Sequence, residues 1–174
     1  MSLIANRARC KGTRRRQAGV SIVEALVALV ILSVGMLGIA GLYLESIRAN
    51  RTALSRTTAV QLVNDMGDRI RANRGGIDQY TLVSGTPPTG GVDCATTNCT
   101  AAQLALFDKV RWYQAVVAGL PNGADGTTLP LTSIVYTAPT ATVPARYVIT
   151  AQWLEPGNTD RASASIEVVQ LGVN

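Results

Sequence analysis

Glu24 is the residue whose position most demands a chemical reason. It stands at the mouth of an apolar run, and no other charge occurs from Ala25 to Leu44. A carboxylate there opposes insertion into lipid by up to about 3 kcal/mol, less near the interface. Either the side chain snorkels to the headgroups or it waits for a cationic partner. The other groups with chemical capacity are three cysteines, Cys10, Cys94 and Cys99, and Asp125 within "NGADG" at 122 to 126. The chain has no histidine, which removes Ser-His-Asp and Cys-His catalysis. "NGADG" lacks the lysine and the strand-to-helix setting of a phosphate loop. Catalytic turnover is therefore not the chemistry to expect, and the chain is not expected to be an enzyme.

The element that must carry Glu24 is a helix. Ala25 to Leu44 is 20 uncharged residues, which as a helix would rise about 30 Å and cross a hydrocarbon core. Six of the 16 basic residues (Arg7, Arg9, Lys11, Arg14, Arg15, Arg16) precede Gly19 with no acid among them. The formal charge of +5 is thus a property of the N-terminus, because 10 bases face 11 acids from Val20 onward. A nucleic-acid partner is not implied. Positive residues ahead of an apolar run hold the N-terminus in the cytoplasm and send the downstream chain outward. A conventional signal peptide, cut after Gly38 and Ala40, is one reading of this stretch. Gly35, Gly38 and Gly41 recur every three residues, lowering helix propensity while letting neighbouring backbones approach. They fit either a helix that packs on other helices or glycines tolerated in a plain anchor.

The helical pattern continues past the apolar run. Leu44, Ile47 and Leu54 carry it, and Ala59, Leu62, Val63, Met66 and Ile70 then fall at i, i+3, i+4, i+7 and i+11 of one buried face. Gln61, Asn64, Asp68 and Arg71 take the other side. The helix should end near Asn73 with a left-handed C-cap at Gly75 and Gly76, giving about 50 residues in all. The arginines of "DRIRANRGG" complement the helix macrodipole and are partly offset by Asp65 and Asp68. Residues 84 to 100, rich in Gly, Pro and Thr, read as a surface loop. Thr100 and Gln103 have capping-box spacing, and Leu106, Val110, Tyr113 and Val117 mark the expected buried face of a second helix ending near Gly119 and Pro121. Trp112 falls off that face and reads as a partly buried packing residue. From Leu129 the period becomes two. "SIVYT", "RYVITAQW" and "SASIEVVQ" read as strands, the last two as an antiparallel hairpin through "EPGNTD", and the first as an edge bounded by Pro130, Pro139 and Pro144.

Gly19, Glu24 five residues later and about 20 apolar residues after it resemble the class III signal of type IV pilins and pseudopilins. The runs "SVGMLGIAGL", "DRIRANRGG" and "LPNGADG" resemble the PilV-type minor pilins, the type IV pilus modification proteins. The resemblance implies that prepilin peptidase cuts between Gly19 and Val20 and methylates the new amine of Val20, leaving Glu24 as the fifth residue. That carboxylate would then pair with the N-terminal amine of a neighbour or its own and set the axial register. Val20 replaces the more usual phenylalanine, and the 19-residue leader is longer than in most major pilins. The implied domains are a leader at 1–19, a transmembrane and assembly half-helix at 20–44, and a periplasmic head at 45–174.

The implied fold is α+β and pilin-like, a long N-terminal helix packed on a small antiparallel sheet of three or four strands. Cys10 would leave with the leader, and Cys94 and Cys99 would form a disulfide in the oxidising periplasm. So short a loop gains roughly 2 kcal/mol in the chain-entropy model. A metal site at the cysteines lacks the four soft ligands zinc wants. Pseudopilin relatives can bind calcium, which directs attention to Asp125, but acidic ligands around it are sparse. No metal or cofactor is expected.

The implied function is that of a minor pilin. After processing it would wait in the inner membrane, N-terminus cytoplasmic and head periplasmic, and then join other minor pilins and a tip adhesin on the assembly platform. The complex would prime the pilus and sit at its tip, supporting motility and adhesion. Two alternatives share parts of the pattern: a minor pseudopilin of a type II secretion system, and a membrane-anchored periplasmic binding module that never assembles.

Overall fold

The computed structural model describes residues 19–155 and 158–170. The basic cluster, Cys10 and most of the leader segment lie outside the described residues, as do Pro156 and Gly157 of the hairpin turn. The order of elements is α1 (Ile22–Ala72), a 3-10 turn (Arg74–Gly76), α2 (Ala101–Gly119), β1 (Leu131–Thr137), β2 (Ala145–Leu154) and β3 (Arg161–Gln170). The chain divides into two compact units at Leu44 and Glu45.

The first unit holds the N-terminal part of α1. Ser21 starts that helix, its Oγ accepting the Val23 N–H at 3.3 Å and its carbonyl accepting the Ala25 N–H at 3.1 Å. Every described residue from Gly19 to Leu44 is exposed. An all-round apolar helix of this kind has no polar face to offer water, and α1 is long and apolar enough to cross a membrane.

The second unit is an α+β head. On α1 the buried stripe is Ala59, Val63, Met66, Gly67 and Ile70. Those side chains meet Trp112 and Val116 of α2, Tyr80 and Leu82 of the intervening loop, and Ile134, Tyr147, Ile149, Ala151, Trp153 and Val168 of the sheet. Contrary to the sequence pattern, Leu54 does not extend this stripe and is 68% exposed.

The sheet is a three-stranded antiparallel meander in the order β1-β2-β3, with Ile134 opposite Ile149 and Ile149 opposite Ile166. Its inner face follows the period of two, with Tyr147, Ile149, Ala151 and Trp153 all buried on β2. The β1 edge is extended by one residue, since Leu82 and Ile134 exchange both backbone hydrogen bonds at 2.9 Å.

Two local expectations change. Neither Gly75 nor Gly76 adopts a positive φ; Asn73 breaks the helix at φ −96°, ψ 68°, and the chain continues as a 3-10 turn. The glycine at 76 serves close approach instead, since a Cβ there would lie 2.8 Å from the Ala101 carbonyl oxygen. On α2 the fully buried positions are Ala105, Asp108, Trp112 and Val116, while Leu106, Val110, Tyr113 and Val117 are only partly buried. Trp112 is 1% exposed and its Nε1 donates to the Leu62 carbonyl at 2.8 Å. That satisfied indole, which a helical wheel of aliphatic residues overlooks, sets the face. The Thr100–Gln103 capping box is present with both of its hydrogen bonds.

Candidate functional site

Glu24 lies in the first turn of α1, where a negative charge complements the unpaired N–H groups and the positive end of the helix dipole. That placement accounts for the local tolerance of the carboxylate but satisfies only a fraction of its charge. The side chain is exposed, and it makes no ion pair or side-chain hydrogen bond among the described residues. Gly19 and Val20 precede the helix in non-helical, exposed conformation. Ser21 is the residue here that pattern reasoning misses, although "SIVE" has the spacing of a capping box and is the available signal.

Gly35, Gly38 and Gly41 are exposed, and a Cβ built at any of them meets nothing within 4 Å. Nothing described in this chain packs on them. Around them Leu32, Val34, Leu37, Ile39 and Leu42 stand more than half exposed. The Ser33 hydroxyl donates to the Leu29 carbonyl at 2.7 Å, so the one hydroxyl among them carries no unmet donor into an apolar surrounding. The segment thus combines apolar surface, three uncrowded glycines and one carboxylate without a partner among the described residues.

In the head, Cys94 and Cys99 form a disulfide with Cα atoms 5.6 Å apart, just ahead of the Thr100 cap. The Asp125 carboxylate is occupied by its own turn, accepting the backbone N–H groups of Thr127 and Thr128 at 3.0 and 2.9 Å and both hydroxyls at 2.8 and 2.6 Å. Those bonds, with Thr128 foremost, hold its pKa well below the usual carboxylate range. No cluster of three or more potential metal ligands occurs among the described residues.

A buried polar network at the end of α1 has no clear signal in the sequence. Arg69 donates from Nε to Asp65 at 2.9 Å and from Nη1 to Asp108 at 3.1 Å. Asp108 also accepts the Tyr80 hydroxyl at 2.7 Å, and Asn73 Nδ2 donates both to Tyr80 Oη at 3.0 Å and to the Ala101 carbonyl at 2.8 Å. Burial, then the bond to Asp108, pushes the Tyr80 phenol up. Arg69 is thus a structural clamp between α1 and α2, beyond the dipole complement its position suggests. A second clamp joins Arg56 to Glu155 at 2.9 Å.

Comparison with protein families agrees with this arrangement. Residues 14–40 match the prokaryotic N-terminal methylation motif, and residues 41–110 match the family described as Type IV pilin Tt1218. No curated protein and no solved structure matches the chain. The methylation motif implies processing by prepilin peptidase, and pilins are structural proteins. Residues 41–110 are thus similar to the Tt1218 type IV pilin family, and the segment ahead of them, residues 14–40, to the N-terminal methylation motif.

Proposed function

We propose that the chain is a minor pilin of the PilV type. Prepilin peptidase cuts after Gly19 and methylates Val20, and the processed protein is held in the inner membrane by residues 20–44 with residues 45–174 in the periplasm. It then joins other minor pilins and a tip adhesin on the assembly platform, in a complex that primes the pilus and stays at its tip. One observation carries this reading: a helical half that is wholly apolar and exposed has a single carboxylate in its first turn with no partner among the described residues. In a bundle of such helices the methylated amine of a neighbour supplies the missing cation, and Gly35, Gly38 and Gly41 let the backbones close up.

Mass spectrometry of the mature N-terminus tests the processing step. The expected result is a chain beginning at N-methylated Val20 in cells with prepilin peptidase and an uncut chain without it. A start at Gly41, or an uncut chain in both, contradicts the reading.

A further inference from the structure

We propose that the head contains a binding site for a small ligand bearing both a carboxylate and hydroxyls, with the size and chemistry of a single uronic acid. The site is a cavity of about 280 Å³ where the loop after Leu82, α2, the approach to β1 and the start of β3 converge. That volume is at the small end of ligand pockets, which run roughly 300–1,000 Å³, and suits one sugar ring.

Three polar groups give the cavity its chemistry. Arg161 lines it and donates from Nη1 to the Leu129 carbonyl at 3.2 Å. That bond anchors one corner of the guanidinium, and no ion pair or other hydrogen bond of the group occurs among the described residues. The planar fork is thus unneutralised, in the form that takes a carboxylate with two parallel bonds. Thr132, only 3% exposed, also lines the cavity, and its hydroxyl has no partner among the described residues. Its oxygen is not sealed off from solvent, so at the cavity it can exchange a water for a ligand hydroxyl at little cost. The Tyr113 hydroxyl is likewise unpartnered among the described residues at the same wall. A single fixed cation flanked by two hydroxyls, each able to donate and to accept, matches a monoanion that carries hydroxyls of its own. It does not match a phosphate, for which one cation without backbone N–H groups at a helix start is a poor cradle. Pro87 and Pro130 supply the apolar walls against which the C–H face of a ring can rest.

The test uses the full-length chain in detergent micelles and ligand-detected saturation-transfer NMR with galacturonate, galactose and acetate. Galacturonate is expected to bind saturably, and the other two at least about tenfold more weakly, since each lacks one half of the recognition. Arg161→Gln should weaken galacturonate binding by about tenfold or more. Thr132→Val should weaken it several-fold while Thr132→Ser retains it. Thermal unfolding of each variant reports whether the head is intact. If Arg161→Gln does not fold, the Thr132 pair decides. Absence of saturation transfer to galacturonate, galactose binding as tightly as galacturonate, or equal binding by Thr132→Val and the parent chain would overturn the proposal.

Discussion

The two parts of α1 are the same helix in geometry and different objects in energetics. From Ala59 to Ile70 an apolar stripe is covered by the chain's own α2 and sheet, and the opposite side is polar. From Val20 to Leu44 the apolar residues run all the way round, and none is covered. The same side-chain types therefore stabilise the fold in one part and, in the other, only a state the isolated chain cannot reach in water. What distinguishes the two is the polar complement. The head half has Gln61, Asn64, Asp65 and Asp68 for its solvent face, whereas Glu24 is the sole charge of the first half.

Substitutions of matched type should separate the two parts, with the largest effect inside the head. Trp112→Ala removes a fully buried ring and the hydrogen bond to Leu62, so it should cost about 3–5 kcal/mol. Chemical denaturation of the solubilised chain measures it, and a cost below about 1 kcal/mol would mean that α2 does not hold the core as described.

Glycine to alanine gives an intermediate contrast. At Gly67 a Cβ would lie 2.8 Å from Ile166 Cδ1 and 3.0 Å from Val168 Cγ2, and overpacking of this kind costs roughly 1–3 kcal/mol. At Gly38 a Cβ meets nothing, so Gly38→Ala should leave the isolated chain as stable as before or slightly more helical. Its effect should surface only as poorer recovery in assembled filaments. A stability loss at Gly38 equal to that at Gly67 would erase the distinction between the parts.

The smallest effect is confined to the Asp125 turn. Its folded pKa lies below the ordinary value of 3.8, so the stabilisation is complete above that value and declines as pH falls through it toward the folded pKa. Amide exchange at Thr127 and Thr128 should accelerate with acidification below about pH 4, while Asp125→Asn should show fast exchange at those amides without that pH step. Slow exchange persisting in Asp125→Asn would show that the carboxylate does not organise the turn.

Signals local in sequence are legible in advance. The length of α1, its buried stripe, the Thr100 capping box and the alternation along β2 all depend on spacings of a few residues, and the structure follows them. What escapes is set by distant partners. Asp108 has no local signal for burial, because its partners Arg69 and Tyr80 lie 39 and 28 residues away. Trp112 falls off the aliphatic face of α2 for the same reason, its partner being the Leu62 carbonyl 50 residues earlier. Gly76 suggests a left-handed turn by its type, but the structure uses its lack of a side chain beside Ala101. Glu24 belongs to a third kind: its position is plain in the sequence, yet under the proposed function its partner lies in another molecule.

Under the proposed function Glu24 serves assembly and nothing earlier. Glu24→Gln keeps the size and polarity of the side chain and removes only its charge, so comparison of membrane-inserted and sheared-pilus fractions from cells expressing it is the most direct measurement. Normal processing and a normal membrane pool are expected, with the variant absent from the filaments. Recovery of Glu24→Gln in sheared pili at the level of the parent chain would contradict it.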